Sequence, residues 1–166
     1  MDLIIRKIRE TDNRILAGII RQVFIEHNAP RQGTVFSDPT TDDLFNLFRE
    51  PRSILWVAVY ENEVVGCCGI YPTEGLNELC CELVKFYLLD SARGKGIGKT
   101  LMQKSIESAI EFGYGEVYLE SLPHFETAVA LYEKEGFDRL DQPLGDSKHS
   151  SCTIWMIKKL LKAKTE

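Results

Sequence analysis

Three places in this chain hold residues whose types and spacing could do chemistry. The first is Arg93-Gly94-Lys95-Gly96-Ile97-Gly98-Lys99-Thr100, where a glycine stands at every second position. Glycines let successive backbone N–H groups converge on an anion, and Arg93, Lys95 and Lys99 add positive charge. The alternative is a strand-to-helix turn with basic decoration. The second is Glu82, a carboxylate inside the apolar run Leu79-Cys80-Cys81-Glu82-Leu83-Val84. A carboxylate is expensive there unless it is used or paired. Its other reading is an edge-facing or ion-paired group, with Lys85 as the partner. The third is the polar segment 141–151, where Ser147, His149 and Ser151 cluster; histidine is the side chain that titrates near neutrality.

The five cysteines, Cys67, Cys68, Cys80, Cys81 and Cys152, promise less. Their number is odd and none has the C-x-x-C spacing of a zinc or redox site. Adjacent residues of a strand point to opposite faces, so neither pair is a natural chelate. They read as small apolar packing residues, and no metal is expected.

Two phosphate motifs fail on the glycine turn. A Walker A loop, G-x-x-x-x-G-K-[ST], fits at Gly98-Lys99-Thr100, but its first glycine falls on Arg93. A dinucleotide fingerprint, G-x-G-x-x-G, fits at Gly94 and Gly96, but its third glycine falls on Lys99.

The elements that must position these groups follow from periodicity. Leu3 to Ile8 predicts a short strand. Thr11 and Asp12 are N-cap types, and Ile15, Leu16, Ile19, Ile20, Val23 and Phe24 repeat at helical spacing. Residues 29–39 read as a loop. Thr40 or Thr41 should cap a second helix that Pro51 stops. Ile54 to Tyr60 and Val64 to Tyr71 predict a hairpin about Glu61-Asn62-Glu63. Leu79 to Leu89 is an apolar run suited to the sheet centre. A helix over Gly96 to Phe112, a strand over Glu116 to Glu120 and a helix over Pro123 to Glu135 follow, the last ended by Gly136. Strands over Phe137 to Leu140 and Cys152 to Ile157 flank the loop 141–151, and the charged tail from Lys158 should fray. The whole chain, 1–166, reads as a single three-layer α/β (α+β) domain. Its sheet is mixed, mostly antiparallel and flanked by helices.

Composition narrows the function. The 166 residues carry 20 Lys and Arg against 25 Asp and Glu, a net charge of −5. That balance disfavours a nucleic-acid binder and suits a cationic small molecule or peptide. No apolar run approaches the roughly 20 residues needed to cross a bilayer, and the N-terminus resembles no secretory signal. A cytoplasmic protein without membrane association is expected.

Arg93-x-x-Gly96-x-Gly98 resembles the pyrophosphate loop, [RQ]-x-x-G-x-[GA], of the GNAT superfamily of N-acetyltransferases. Ala128-Val129-Ala130-Leu131-Tyr132-Glu133-Lys134-Glu135-Gly136-Phe137 resembles that family's second signature, A-x-x-L-Y-x-K-x-G-F. The order of elements matches as well, so the resemblance covers nearly the whole chain. One departure stands out. The family often has Asn seven residues before the helix Tyr, touching the cofactor arm; here that residue is Phe125, leaving Ser121 or His124 as replacements.

The resemblance implies acetyl-coenzyme A (acetyl-CoA) as donor and a primary amine, on a small molecule or a peptide, as acceptor. It implies a diphosphate cradle over Arg93, Gly94, Lys95, Gly96, Ile97, Gly98 and Lys99, and strand-like pairing of the pantetheine with Phe86, Tyr87 and Leu88. Catalysis would be direct attack in a ternary complex. Glu82, eleven residues before Arg93 as in histone-type members, would be the base. Tyr132 would be the acid that protonates the leaving sulfur; its other reading is a core tyrosine. The loops 27–38 and 141–151 would flank the acyl end, with His149, Glu26, Asp38 and Glu120 as candidates for acceptor contact. Two other readings stay open: ping-pong transfer through Cys152 or Cys81, and a non-catalytic coenzyme-A-binding or regulatory module. A homodimer joined through a strand or helix face is compatible with the pattern.

Because both nucleotide motifs are out of frame, acetyl-CoA should bind far more tightly than ATP or NAD. Calorimetric titration of all three checks this, and ATP hydrolysis abolished by Lys99→Ala would overturn the acetyltransferase reading in favour of a variant nucleotidase.

Overall fold

The computed structural model describes residues 2–146 and 149–160. Apolar alternation produces seven strands: β1 (Leu3–Lys7), β2 (Ile54–Tyr60), β3 (Glu63–Tyr71), β4 (Cys80–Leu88), β5 (Glu116–Ser121), β6 (Asp138–Leu140) and β7 (Ile154–Lys159). They form one sheet in the order β1-β2-β3-β4-β5-β7-β6. Only β4 and β5 run parallel; the other neighbours are antiparallel. The β2–β3 hairpin turns on Glu61 and Asn62, both with left-handed backbone (φ 49° and 68°). That geometry matches the sheet's own twist.

Helices cover both faces. The helix α1 (Asn13–Glu26) packs Leu16, Ile19, Ile20, Val23 and Phe24 against one face. On the other face α3 (Ile97–Glu111) and α4 (Glu126–Lys134) bury Ile97, Leu101, Met102, Val129 and Tyr132. The paired cysteines divide as strand geometry requires, Cys67 facing the α1 side and Cys68 the α3 side. All five are free thiols.

Several expected boundaries differ. The segment after Thr40 is a 3-10 turn over Pro39–Asp42 followed by one α turn, α2 (Leu44–Leu47), ending before Pro51. Its caps are Asp38, accepting from Thr40 N, and Asp43, accepting from Asn46 N, rather than Thr40 or Thr41. The two Asx caps, five residues apart, split the segment into two short turns. The helix expected from Pro123 starts at Glu126. Lys158 and Lys159 do not fray but pair with Val117 and Glu116 in the ladder. Residues 161–166 and Ser147 lie outside the described residues. Among the described residues no helix is long and apolar enough to cross a membrane.

Asp12 does not cap α1 with its side chain. It accepts a bidentate pair from Arg6 on β1 (2.8 and 3.0 Å) and a bond from Arg9 N (2.7 Å). It is only 3% exposed. Burial pushes its carboxyl up, but the Arg6 and Arg9 hydrogen bonds outweigh that and hold it below the usual carboxylate range. A depressed folded pKa stabilises the fold above the unfolded value near ~4, and the gain is lost as pH falls through the folded value. Asp12→Ala should therefore cost about 2–3 kcal/mol at neutral pH. The cost should shrink toward pH 3, read as a lower urea midpoint with unchanged slope.

Candidate cofactor and acceptor site

The site begins where two strands part. The parallel pairing of β4 with β5 is confined to Cys80–Glu82 against Glu116–Tyr118. Beyond Glu82 the β4 edge that faced β5 has no strand beside it. Lys85 marks the departure: its φ is 57°, a left-handed backbone for a residue with a long side chain. The β3–β4 register slips there, from Gly69↔Val84 to Cys67↔Tyr87. This bulge bends β4 away and opens a cavity of about 550 Å³.

The cavity's lining comes from both faces of the sheet. Ile97, Leu131 and Tyr132 enter from the α3 and α4 side, and Val23 and Phe125 from the α1 side. The space thus passes between the strands, so two molecules could meet in it from opposite faces.

At one end lies the glycine turn. Gly94 and Gly96 have φ of 76° and 79°, and a Cβ built on either would meet nothing within 4 Å. None of the backbone N–H groups from Gly94 to Lys99 has a hydrogen-bond acceptor among the described residues. These donors converge at the start of α3, where the helix dipole also favours an anion. The residues therefore fit a diphosphate. Gly94, Gly96, Ile97, Gly98 and Lys99 line the cavity; Lys95 does not, its ammonium lying 5.9 Å from the Tyr60 ring centre. Arg93 lines it, but its guanidinium donates to Leu88 O (3.1 and 2.9 Å) and pairs with Glu26. Its side chain braces the turn, and Glu26 belongs to that brace rather than to acceptor recognition. Phe86, Tyr87 and Leu88 lie on the open stretch of β4 and line the cavity.

Glu82 and Tyr132 both line the same cavity. Glu82 is 4% exposed and accepts a 2.6 Å hydrogen bond from Thr73 Oγ1. Burial, opposed by that bond and reinforced by Glu120, raises its pKa to about 7. A carboxylate so placed can hold or release a proton at neutral pH. Tyr132 is 6% exposed and packs its ring on Phe86 and Phe137, each 5.9 Å away. Burial pushes its hydroxyl well above the ordinary value, so it stays protonated.

The other end of the cavity is closed by the two expected loops, which meet. Ser151 N donates to Gly33 O (3.2 Å) and Ser151 Oγ to Gln32 O (2.8 Å). His149 Nε2 donates to Asp38 Oδ2 at 3.1 Å. His149 and Glu120 line the cavity, and Glu120 accepts from the Tyr118 hydroxyl at 2.7 Å. Phe125 packs on Phe24 and His27, ring centres 5.2 and 5.4 Å apart, which explains an aromatic in place of a polar residue there. Of the two replacements, Ser121 lines the cavity, whereas His124 is exposed and outside it.

The cysteines offer poor nucleophiles. Cys81 is wholly buried in the α3-side core. Cys152 lines the cavity, but burial and the nearby Glu120 and Glu82 push its thiol up to about 12. A thiol held protonated at neutral pH is a weak nucleophile.

The family model described as the acetyltransferase (GNAT) family matches residues 21–137, which contain both the glycine turn and the Tyr132 signature. The chain belongs to the GNAT family. It is 38% identical over 158 residues to an uncharacterized N-acetyltransferase, YjgM, of Escherichia coli strain K12, covering 95% of each chain. Solved structures share the fold. A GNAT-family acetyltransferase of Staphylococcus aureus Mu50 superposes with a TM-score of 0.84 at 20% identity, over 96% of this chain and 100% of the other. The PaiA N-acetyltransferase of Thermoplasma acidophilum, solved in complex with coenzyme A, gives 0.74 at 20% identity, again over 96% and 100%.

Sequence reasoning missed Thr73, and it named Asp38, His149 and Lys85 without the relations the structure gives them. Thr73 holds Glu82, and only the β3–β4 connection brings it there. The Asp38–His149 pair joins residues too distant in sequence to be associated. Lys85 was legible only as a partner for Glu82. In the GNAT cradle, Gly96→Val introduces both a side chain at open backbone and a β-branched residue at positive φ. Coenzyme A affinity should fall at least about tenfold. Circular dichroism checks that the fold persists, and unchanged calorimetric binding in a folded variant would place the site elsewhere.

Proposed function

We propose that this chain is an acetyl-CoA-dependent N-acetyltransferase acting on a primary amine within a ternary complex. The observation that carries the reading is the continuity of one cavity. It joins a cradle of N–H groups, unpartnered among the described residues, to a carboxylate on one side of the parted strands and a tyrosine on the other. Acetyl-CoA supplies the activated thioester. The Gly94–Lys99 backbone holds its diphosphate, and the open edge of β4 at Phe86, Tyr87 and Leu88 aligns its pantetheine arm. An alkylammonium has a pKa near ~10 and must lose a proton before it can react. Glu82 accepts that proton, directly or through water. Backbone N–H groups of β4 stabilise the carbonyl oxygen as charge develops, and Tyr132 donates a proton to the departing sulfur. The protonated Cys152 and enclosed Cys81 argue against a covalent acetyl-enzyme.

A non-catalytic coenzyme-A-binding module would keep the cradle without needing a titrating carboxylate. Glu82, held near neutrality in the cavity, favours the enzyme. In the wild type kcat/KM should rise with pH through about 7 as Glu82 loses its proton. Glu82→Gln should lose activity at neutral pH and recover part of it at high pH, where more of the amine is already neutral. Tyr132→Phe should lower kcat roughly 10²-fold with little change in acetyl-CoA affinity, and without recovery at high pH. Paired pH–rate profiles for release of free coenzyme A thiol read both effects. Wild-type kcat/KM in Glu82→Gln at neutral pH would remove Glu82 as the base. Tight coenzyme A binding with no thiol release across a broad amine panel would favour the binding module.

A further inference from the structure

The acceptor end of the cavity contains a cation that the mechanism does not use. Lys85 is 6% exposed and lines the cavity, and its ammonium makes no hydrogen bond or ion pair with any described residue. Among the described residues no fully enclosed side-chain nitrogen or oxygen lacks a partner. The Lys85 ammonium therefore reaches open space, and the space Lys85 lines is this cavity.

Its direction follows from the bulge. Along β4, Cys81 and Leu83 face the α3 side and Val84 the α1 side. After the bulge Phe86 and Leu88 face the α3 side and Tyr87 the α1 side, so the alternation changes parity at Lys85. In an unbroken strand Glu82 and Lys85, three apart, would project to opposite faces. The left-handed residue cancels that. Burial lowers the Lys85 pKa from the ordinary lysine value, and the charges of Asp38 on the α1 side, first, and of Glu82 oppose that. The neighbouring carboxylates are engaged elsewhere: Asp38 with Thr40 and His149, Glu82 with Thr73. None closes on the ammonium. A buried ammonium without an acceptor is costly, and an incoming anionic group would relieve that cost. The same pocket holds Glu82 and Glu120 within reach of an acceptor amine.

We infer that the acceptor is an amino-carboxylate, whose amine faces Glu82 while its carboxylate is bound by Lys85. Such a ligand complements both signs of charge in the pocket, which a simple amine or polyamine does not. The bulge that opens the cofactor gap thereby also sets acceptor selectivity. This inference rests on the proposed N-acetyltransferase reading and narrows its acceptor class.

The test uses matched acceptors: α- and short ω-amino acids, their carboxamides and their decarboxylated amines, assayed by thiol release from acetyl-CoA. Wild-type kcat/KM should favour the carboxylate member at least tenfold. Lys85→Met should erase that preference by raising KM for the carboxylate at least tenfold. Its acetyl-CoA affinity should change little, and its kcat/KM on the carboxamide should fall far less than on the carboxylate. A carboxylic acid lacking the amine should compete with the acceptor in the wild type and not in Lys85→Met. A wild-type preference for the carboxamide or decarboxylated amine would overturn the inference while leaving the acetyltransferase reading standing, and needs no variant to fold. Equal loss on all acceptors in a folded Lys85→Met that still binds acetyl-CoA would also overturn it, making Lys85 structural. Acetyl-CoA binding without thiol release from any amine would instead overturn the reading on which the inference rests.

Discussion

Two parallel strands that pair at one end and separate at the other leave backbone groups facing a gap. In this chain β4 and β5 hold together only from Cys80 to Glu82 on the β4 side. The left-handed residue Lys85 bends β4 away just beyond. A residue with a side chain costs about 1–2 kcal/mol in that conformation. The surrounding sheet overdetermines it, with β3 paired to β4 before and after the slip. The gap cannot close without abandoning that ladder.

Everything chemical is arranged around this parting. Its α3 and α4 side receives the glycine turn, because α3 starts a few residues after β4 ends. Its α1 side receives Glu82, Glu120, Lys85 and the loop pair joined through Asp38 and His149. The Arg93–Glu26 pair ties the first side to α1 across the end of β4, with Leu88 O as a third point of attachment. Cradle and acceptor pocket are thus braced by one guanidinium. In the proposed reading, Arg93 supports the cradle by shape more than by charge.

The site's electrostatics follow from the same burial. A carboxylate in water titrates near ~4 and would be ionised throughout the neutral range, with no proton exchange to offer. Enclosure between the strands moves Glu82 to about 7, and the Thr73 hydrogen bond keeps the shift from going further. The aromatic group of Phe24, Tyr87 and Phe125 walls off one side, and Phe86 and Phe137 surround Tyr132. These rings lower the local polarity around Glu82 and Tyr132.

Much was legible in the residues themselves. Strand and helix periodicity located β1 to β5, α1 and α3, because each element's buried face is written at a fixed spacing. The glycine turn was legible for a different reason, because backbone approach to an anion demands glycines at particular offsets, whereas the Tyr132 signature was legible only through its resemblance to the GNAT pattern. Glu82 announced itself as a charge in an apolar run. The short helix after Thr40 misled because Asp38 and Asp43 compete as caps, a choice made by local geometry that periodicity does not record. What tertiary structure alone decided was parity and proximity. The bulge that turns Lys85 to the side of Glu82 is a single backbone torsion, invisible to a period-of-two reading. The meeting of Asp38 with His149, and of Thr73 with Glu82, depends on loop closure over the finished sheet. Sequence specified the groups that could act; the parting of two strands decided which of them share one pocket.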